Sequence, residues 1–540
     1  MKTWQTKDQL IELLVSLVGH GSITGSHAEI AQAEYLKRML MQKPYFEKNP
    51  GHVKLHPLED GRRLLTALVK GNDTSETVIL LSHFDVVGVE DYGSLKSLAF
   101  RPKELTKQMK YIRERFPKDV QADIDSGDWL FGRGTMDMKA GITLHLSMLE
   151  KAMNGEFKGN LLLLSVPDEE VNSQGMMTAL PVLDQLKQDE GLTYNACLNG
   201  EPIFSKYPGD SHYYTYTGSI GKVLPGFYCY GKESHVGEPF AGISPNLMVS
   251  FLSQEIELNE AFIEKAGDEV APPPVSLMQR DLKEEYSVQT PHTAVAMYNI
   301  LYLKQTLQEI NDKLLKGAQK AADNIASYVQ QKAYYFGSMA EDFMVPDFQV
   351  NVIMYEDLYN EAVKRYGTEE VIRRQNLIVN KRDQGDRDFS TVLVQELADM
   401  CKDLAPMIVV FYSPPFYPAV SSFDDPYIQD VMKHVKTFTQ SNFQLDLTVA
   451  EFFTGLSDLS FVGPVASESH LQQLTANLPL QNNGFSFPED AMKQLTMPVL
   501  NIGPLGKDPH QWTERLELTY SFEYLPSILT EAIHRLFEKE

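Results

Sequence analysis

Histidine and acidic residues in this 540-residue chain occur in short motifs whose residue types suit a site for two divalent metal ions. Imidazole and carboxylate groups bind zinc and similar cations, and a two-metal site needs one carboxylate that bridges both ions. We expect Asp137 to bridge, because it stands between a glycine-rich stretch and a predicted helix start, where the backbone is tightly constrained. The motifs are, in chain order, His83-Phe84-Asp85, GRGTMDMK (132–139), Asp168-Glu169-Glu170, Glu201-Pro202, GKESH (231–235), TGLSD (454–458) and Pro509-His510.

The other candidate ligands divide between the two ions. His83 and Glu201 would complete the first ion, and Glu170 and His510 the second. Asp85 stands two residues beyond His83 on an extended segment, and therefore on the same side of it. From there its carboxylate can accept the second ring N–H of His83 and fix the tautomer of that ring.

The adjacent carboxylates Glu169 and Glu170 are expected to have different roles. Because side chains of neighbouring residues diverge, one can bind metal while the other faces a bridging water. Glu169 is then the general base, with its pKa raised by a dry pocket. Two metal ions lower the pKa of water and polarise a scissile carbonyl, so the predicted chemistry is hydrolysis. Each motif alone is common in turns or in protein cores. Most of the motifs follow predicted strands, however, and chance is a poor explanation for that shared placement.

The elements that must position these residues follow a doubly wound α/β pattern, in which ligands bind beyond the carboxyl ends of strands. Residues 77–81 are predicted as a strand that leads to His83. The almost wholly apolar Asn160–Val166 is predicted as a strand covered on both faces, directly before Asp168. A helix is predicted over residues 138–152, with its N-terminus just after Asp137.

A change of pattern near Tyr213 indicates an inserted domain. We interpret residues 1–212 as the first segment of a catalytic domain, 213–417 as an inserted, enlarged α+β domain, and 418–540 as the second catalytic segment. The insert contains a long polar helix predicted from Thr306 to about residue 332.

Composition excludes several classes of protein. The net charge of −24 repels phosphate backbones, so no nucleic-acid partner is expected. Apolar runs are too short to span a bilayer and the sequence begins without a signal-peptide pattern, so no membrane partner is expected. Three widely spaced cysteines, Cys197, Cys229 and Cys401, argue against a disulfide framework and for the cytoplasm.

The motifs resemble those of metallopeptidase family 20, the aminoacylase and carboxypeptidase type of co-catalytic zinc peptidases. The resemblance implies a zinc-peptidase catalytic fold of the phosphorylase/hydrolase-like kind, with Asp137 bridging and Glu169 as base. The length and the GKDPHQWTE segment are similar to the arginine-utilisation, RocB-like branch. From Leu80 to Glu514, the resemblance is carried by LLSHFDVV, GRGTMDMKAG, SVPDEEVNSQGM, NGEP, GKESHVGEPFAGISPN, FFTGLSDLSF and PVLNIGPLGKDPHQWTE.

For the inserted domain, the resemblance implies a lid or dimerisation role. His235 matches a histidine that reaches an active site, in two-domain members that of a partner subunit, and helps hold the substrate's carbonyl or carboxylate. Asn246 matches the asparagine after that motif, and Gly455 and Asp458 match the substrate loop. The family's arginine for a substrate carboxylate is not found, and the insert is unusually large. Both departures leave the substrate open.

The predicted function is zinc-dependent hydrolysis of a C–N amide bond in a small amino-acid derivative or peptide. A deacylase, a dipeptidase or an amidohydrolase would fit, in arginine degradation on the branch resemblance. Two divalent cations, zinc by preference, are the expected cofactors. A homodimer is expected, and a monomer stays open because the enlarged insert could occupy the pairing edge. The rival interpretation is an inactive metabolite-binding or regulatory protein, which the intact Glu169 and the five ligands disfavour.

Overall fold

The protein is described by a computed structural model that divides into two compact units. The residues described are 3–71, 74–207, 209–340, 342–465 and 468–538. The first unit comprises Met1–Ile220, Val420–Val465 and Pro488–Glu540, and the second comprises Gly221–Ala419 and Ala466–Phe487. The predicted domain boundaries stay a prediction. Among the described residues, no helix has the length and apolar character needed to cross a membrane.

The first unit is built on an eight-stranded mixed sheet, which confirms the predicted α/β fold. Asn160–Val166 is buried along its whole length, as expected for a central strand covered on both faces. The four central strands, third to sixth in the order below, run parallel. Across the sheet the strands are Val53–Pro57, Arg63–Val69, Asn160–Val166, Glu76–His83, Thr193–Asn199, Val499–Asn501, Tyr213–Tyr216 and Leu447–Ala450.

Amphipathic helices form the core of this unit together with the sheet. Lys7–Val18 begins at a capping box between Thr6 and Gln9 and buries leucines at helical spacing, which join one cluster with residues of the central strands. The helices of the first unit are Lys7–Val18, His27–Met41, Pro44–Lys48, Pro102–Tyr111, Lys118–Ser126, Lys139–Met153, Gln174–Glu190, Pro426–Phe443, Glu489–Leu495 and Leu525–Leu536.

Two small antiparallel sheets complete the first unit. One pairs Gly218–Ser219 with Val420–Ser421. The other has three strands in the order Gly506–Lys507, Arg515–Glu517 and Trp129–Phe131. The connection between the first two strands of this second sheet carries His510, and the segment after the third carries Asp137. Distant parts of the chain are thus brought to one place.

The second unit contains a six-stranded sheet and six helices among its described residues. Its long helix starts at a capping box between Thr306 and Glu309, in agreement with the start predicted at Thr306. The strand order is Val275–Asp281, Thr293–Tyr302, Pro225–Tyr230, Met407–Tyr412 and Asn351–Met354; Gly221–Val223 also pairs with Thr293–Tyr302, and Glu264–Ala266 with Glu269–Ala271 form a separate hairpin. The helices are Pro245–Ile256, Leu307–Gly337, Tyr355–Tyr366, Thr368–Val379, Asp386–Met400 and Glu468–Ala476.

Candidate metal centre

Three neighbouring parallel strands deliver the predicted residues to one edge of the large sheet. His83 is the last residue of Glu76–His83. The adjacent strand Asn160–Val166 leads within two residues to Asp168, and Thr193–Asn199 leads within two residues to Glu201. Since His83 pairs in register with Val166, these strand ends meet.

The first histidine faces two carboxylates. The Nε2 atom of His83 lies 3.4 Å from Oδ1 of Asp137 and 3.4 Å from Oε1 of Glu201. Zinc bonds of about 2.0–2.1 Å place neighbouring ligands of a tetrahedral ion roughly 3.3 Å apart. The spacing of these three atoms therefore fits one shared cation.

The second histidine faces the other oxygen of Asp137. The Nε2 atom of His510 lies 3.2 Å from Oδ2 of Asp137 and 3.0 Å from Oε2 of Glu170. Ligand atoms offered by His83, Asp137 and Glu170 also lie within 4.8 Å of one another. Asp137 thus stands between two histidine–carboxylate pairs, the arrangement needed of a bridging carboxylate.

The loop that carries Asp137 is held by Glu514, for which the sequence analysis found no role. The Oε2 atom of Glu514 accepts a hydrogen bond of 2.8 Å from Nη1 of Arg133, and Oε1 accepts one of 3.3 Å from the backbone N–H of Met136. Burial raises the pKa of Glu514 to about 7, against the charge of Arg133. The signal in the sequence was Arg133 itself, since an arginine inside a buried glycine-rich loop needs a carboxylate partner.

Glycine at position 134 is required by the same loop. Gly134 has φ 77°, and a Cβ atom there would lie 2.7 Å from Cγ1 of Val86. Both the left-handed backbone and the close approach exclude a side chain.

The carboxylate of Asp85 contacts more than the ring of His83. Its Oδ1 accepts the backbone N–H of Glu169 at 3.1 Å, and its Oδ2 accepts the N–H of Glu170 at 3.3 Å and the hydroxyl of Thr24 at 2.9 Å. The Nδ1 atom of His83 lies 3.1 Å from the carbonyl oxygen of Asp85 and 3.4 Å from Oδ1. The role of Asp85 in fixing the histidine tautomer stays a prediction, and its carboxylate also holds the backbone of the acidic turn.

Glu169 is a buried acid beside this cluster, with Oε2 3.9 Å from Nε2 of His83. Burial raises the pKa of Glu169 well above its usual value; His83 opposes the shift, while Glu201 and Asp458 add to it. A buried carboxyl that favours its proton suits the predicted general base.

The electrostatics of the cluster fit divalent cations. Burial raises the pKa of Glu201, and Asp137 and Glu170 raise it further against the opposing effect of His83. Burial lowers the pKa of His510, but Asp137 and Glu170 outweigh it and raise that pKa to about 11. The raised pKa values show that Glu201 and His510 favour their protonated forms when no cation is present. Divalent cations would supply positive charge in place of those protons, so the donor set fits them.

The predicted substrate loop lies partly against the cluster. Asp458 is buried, and its charge contributes to the raised pKa of Glu169 and Glu201. Burial also raises the pKa of Asp458 to about 7. At Gly455, a Cβ atom would lie 2.7 Å from ring atoms of Phe204 and Phe453, so only glycine fits.

His235 and Asn246 belong to the second unit, whereas the cluster consists of residues of the first. His235 is exposed, with its Nδ1 accepting the backbone N–H of Gly237 at 3.1 Å. The side-chain amide of Asn246 donates to Oδ2 of Asp281 at 3.0 Å. Their predicted contact with a substrate stays a prediction.

Comparison with known proteins settles the family. The profile of peptidase family M20/M25/M40 matches residues 79–468, more than half of the chain. The chain belongs to this family. It is 52% identical over 537 residues to "Uncharacterized protein YqjN" of Bacillus subtilis, covering 99% of this chain and 98% of that protein. It is 32% identical over 542 residues to "Protein RocB" of Bacillus subtilis, covering 97% and 94%.

Solved structures agree with this assignment at the level of the fold. The di-peptidase Dug1p from Saccharomyces cerevisiae superposes with a TM-score of 0.54 at 10% identity, covering 99% of this chain and 97% of that one. The span of the chain that matches the family profile contains His83, Asp137 and Glu201 and ends before His510. The geometry of the centre therefore adds His510 independently of the profile match.

Proposed function

We propose that this chain is a two-metal hydrolase that cleaves the C–N amide bond of a small amino-acid derivative or peptide. The observation that carries the proposal is the division of the two oxygens of Asp137 between His83 and His510, with buried Glu169 beside them. Deacylase, dipeptidase and amidohydrolase activities share this chemistry. The branch resemblance in the sequence adds derivatives of arginine to the substrates that should be tested first.

In the proposed site, His83 and Glu201 would hold one ion, Glu170 and His510 would hold the other, and Asp137 would contribute to both. Two bound zinc ions would polarise the amide carbonyl and lower the pKa of water.

Glu169 accepts the proton of the attacking water and returns it to the leaving nitrogen. Its position supports this role, because Oε2 of Glu169 lies 3.9 Å from Nε2 of His83, at the edge of the proposed metal centre.

Substrate contacts are proposed for Asp458 and Gly455 of the first unit and for His235 and Asn246 of the second. Asp458 is supported by its burial beside Glu169, and Gly455 by its lack of room for a side chain. We propose that His235 holds the substrate's carbonyl or carboxylate in a homodimer. No ligand or base position is substituted in the sequence, which speaks against an inactive metabolite-binding protein.

The test combines metal analysis with a substrate screen. Protein loaded with zinc and freed of excess metal should contain about two zinc ions per chain. It should hydrolyse members of a panel of N-acetyl amino acids, dipeptides and N-acyl arginine derivatives. A zinc content near zero at micromolar free zinc contradicts the proposed site. Two bound ions without hydrolysis anywhere in the panel favour the metabolite-binding alternative.

A further inference from the structure

The turn that carries Glu169 and Glu170 is held by carboxylates at three consecutive backbone N–H groups. The N–H of Asp168 donates to Oε1 of Glu29 at 3.1 Å, and the next two donate to the carboxylate of Asp85 at 3.1 and 3.3 Å. Hydrogen bonds to ionised acceptors are stronger than neutral ones. These contacts fix the direction in which both glutamate side chains leave the backbone.

Asp168 itself has an unusual backbone that needs such support. Its φ of 71° lies in the left-handed region, which residues with a Cβ atom seldom adopt, although aspartate enters it more readily than most. The side chain is held at both oxygens. Oδ2 accepts the N–H of Gln174 at 3.1 Å, and Oδ1 accepts a 2.6 Å bond from Nη1 of Arg62. The surroundings therefore determine the conformation of the turn.

Arg62 contacts both Asp168 and Glu29. Besides Asp168, its Nη1 atom lies 3.3 Å from Oε2 of Glu29, and its Nε donates to Oδ2 of Asp60 at 2.6 Å. Burial and the charge of Asp85 raise the pKa of Glu29, against the opposing charge of Arg62, to about 7. The buried carboxylates of Glu29 and Asp168 repel each other, and the guanidinium of Arg62, which contacts both, offsets that repulsion.

We propose that Arg62 and Glu29 are positioning residues that aim Glu169 and Glu170 at the metal centre. Neither touches the proposed ligand atoms; both act through the backbone and side chain of Asp168. This inference rests on the proposed function, because it assigns an effect on the base and on one ligand of that site. Outer contacts of this kind commonly alter metal affinity or activity by about 10–100-fold when removed.

The test uses zinc alone as the probe, titrated into metal-free protein in competition with a chromophoric chelator. The variants are Arg62→Ala, Arg62→Lys and Glu29→Gln. Arg63→Ala is the matched control, since Arg63 is the next residue and forms a surface ion pair with Glu34. The thermal midpoint of each metal-free variant is recorded beside its zinc affinity.

Arg62→Ala should weaken the binding of one zinc ion by about 10–100-fold. Arg62→Lys keeps the positive charge and should recover part of that loss, although lysine cannot copy the planar fork of arginine. Glu29→Gln should weaken zinc in the same direction, and Arg63→Ala should bind like the wild type. For a hydrolysed substrate, Arg62→Ala should lower kcat by about tenfold or more while KM changes less, because the base is displaced.

Unchanged zinc affinity and kcat in folded Arg62→Ala would overturn the inference and leave Arg62 a merely structural residue. If that variant does not fold, Arg62→Lys and Glu29→Gln decide in the same way. The proposed function fails separately, through wild-type protein that binds no zinc or hydrolyses nothing. Wild-type protein that binds zinc and hydrolyses substrate, with variants that match it, refutes only the positioning roles.

Discussion

At the scale of single residues, Asp137 lies between the two histidines of the candidate centre. Asp137 places Oδ1 3.4 Å from His83 and Oδ2 3.2 Å from His510. The histidines come from the end of a central strand and from a connection in a separate small sheet. Among the described residues of this site, only Asp137 lies within ion-pair distance of the Nε2 atoms of both His83 and His510, through a different oxygen for each.

Glu169 and Glu170 give the sharpest prediction at this scale. Glu170→Gln should lower the zinc content from about two ions to about one per chain, because Glu170 shares His510 with Asp137. Glu169→Gln should keep about two ions and lower kcat by roughly 10²–10⁴, as for the loss of a general base. Elemental analysis and steady-state kinetics measure both effects. Identical zinc titrations of the two variants would refute the division of roles between these neighbours.

The residues that the structure brings together in the candidate centre could be selected from the sequence because they stand beside local signals. His83 ends one strand of the large sheet, Glu201 follows another, and Asp137 follows a glycine-rich stretch. Supporting contacts have no such signal, since they join residues far apart in the chain. Arg62 and Asp168 are separated by 106 positions. Only the packed fold makes them neighbours.

At the scale of elements, one buried acid fastens the N-terminal segment to the helix that follows Asp137. Glu150, on Lys139–Met153, accepts the backbone N–H of Thr3 and of Trp4, each at 3.0 Å. Lys43 lies 2.7 Å from the same carboxylate. One side chain thereby connects three stretches of the first unit.

Replacing Glu150 should destabilise the protein in a pH-dependent way. Burial alone would raise its pKa, but Lys43 and the hydrogen bonds outweigh it and lower the pKa to about 2. A carboxylate whose pKa is lower in the folded state stabilises the protein at pH values above its unfolded-state pKa. This stabilisation is lost as the pH falls towards the folded-state pKa. Glu150→Gln should therefore cost about 1–3 kcal/mol at pH 7, and less below about pH 4.5.

Urea unfolding of the metal-free protein at pH 7 and at successively lower pH measures this difference. Glu12→Gln is the control, because Glu12 forms an exposed ion pair with Lys103 and should change stability by less than about 0.5 kcal/mol. If Glu150→Gln lowers the free energy of unfolding by the same amount at every pH, the stabilisation does not come from the ionised carboxylate of Glu150.

Elements with a strong apolar pattern could be predicted from the sequence, whereas helices with few buried apolar residues could not. Asn160–Val166 has the predicted bounds, since it shows a strong apolar pattern. The helices Tyr355–Tyr366, Thr368–Val379 and Asp386–Met400 were not predicted. Thr368–Val379 buries only Val371 and Gln375, so its apolar face is too thin for periodicity to reveal. Contacts with neighbouring helices and its acidic first turn stabilise it instead.

At the scale of the whole molecule, the second unit has an exposed edge strand that supports the proposed homodimer. Val275–Asp281 is the outermost strand of its sheet. Two of its apolar side chains are exposed, Val275 at 43% and Leu277 at 61%. Exposed apolar edge strands favour pairing with another chain, and a two-fold axis would satisfy both edges at once.

Complementation between two inactive variants tests whether His235 acts across such a dimer. His235→Ala and Glu169→Gln are each expected to be inactive alone. If His235 serves the partner's site, a hybrid dimer contains one site with both an intact base and an intact histidine. Random mixing should then restore about a quarter of the wild-type activity, since half of the dimers are hybrids with one complete site of two. If His235 serves its own chain, every site keeps one defect. Absence of recovery in confirmed hybrids would exclude the trans arrangement and favour a chain that completes its own site.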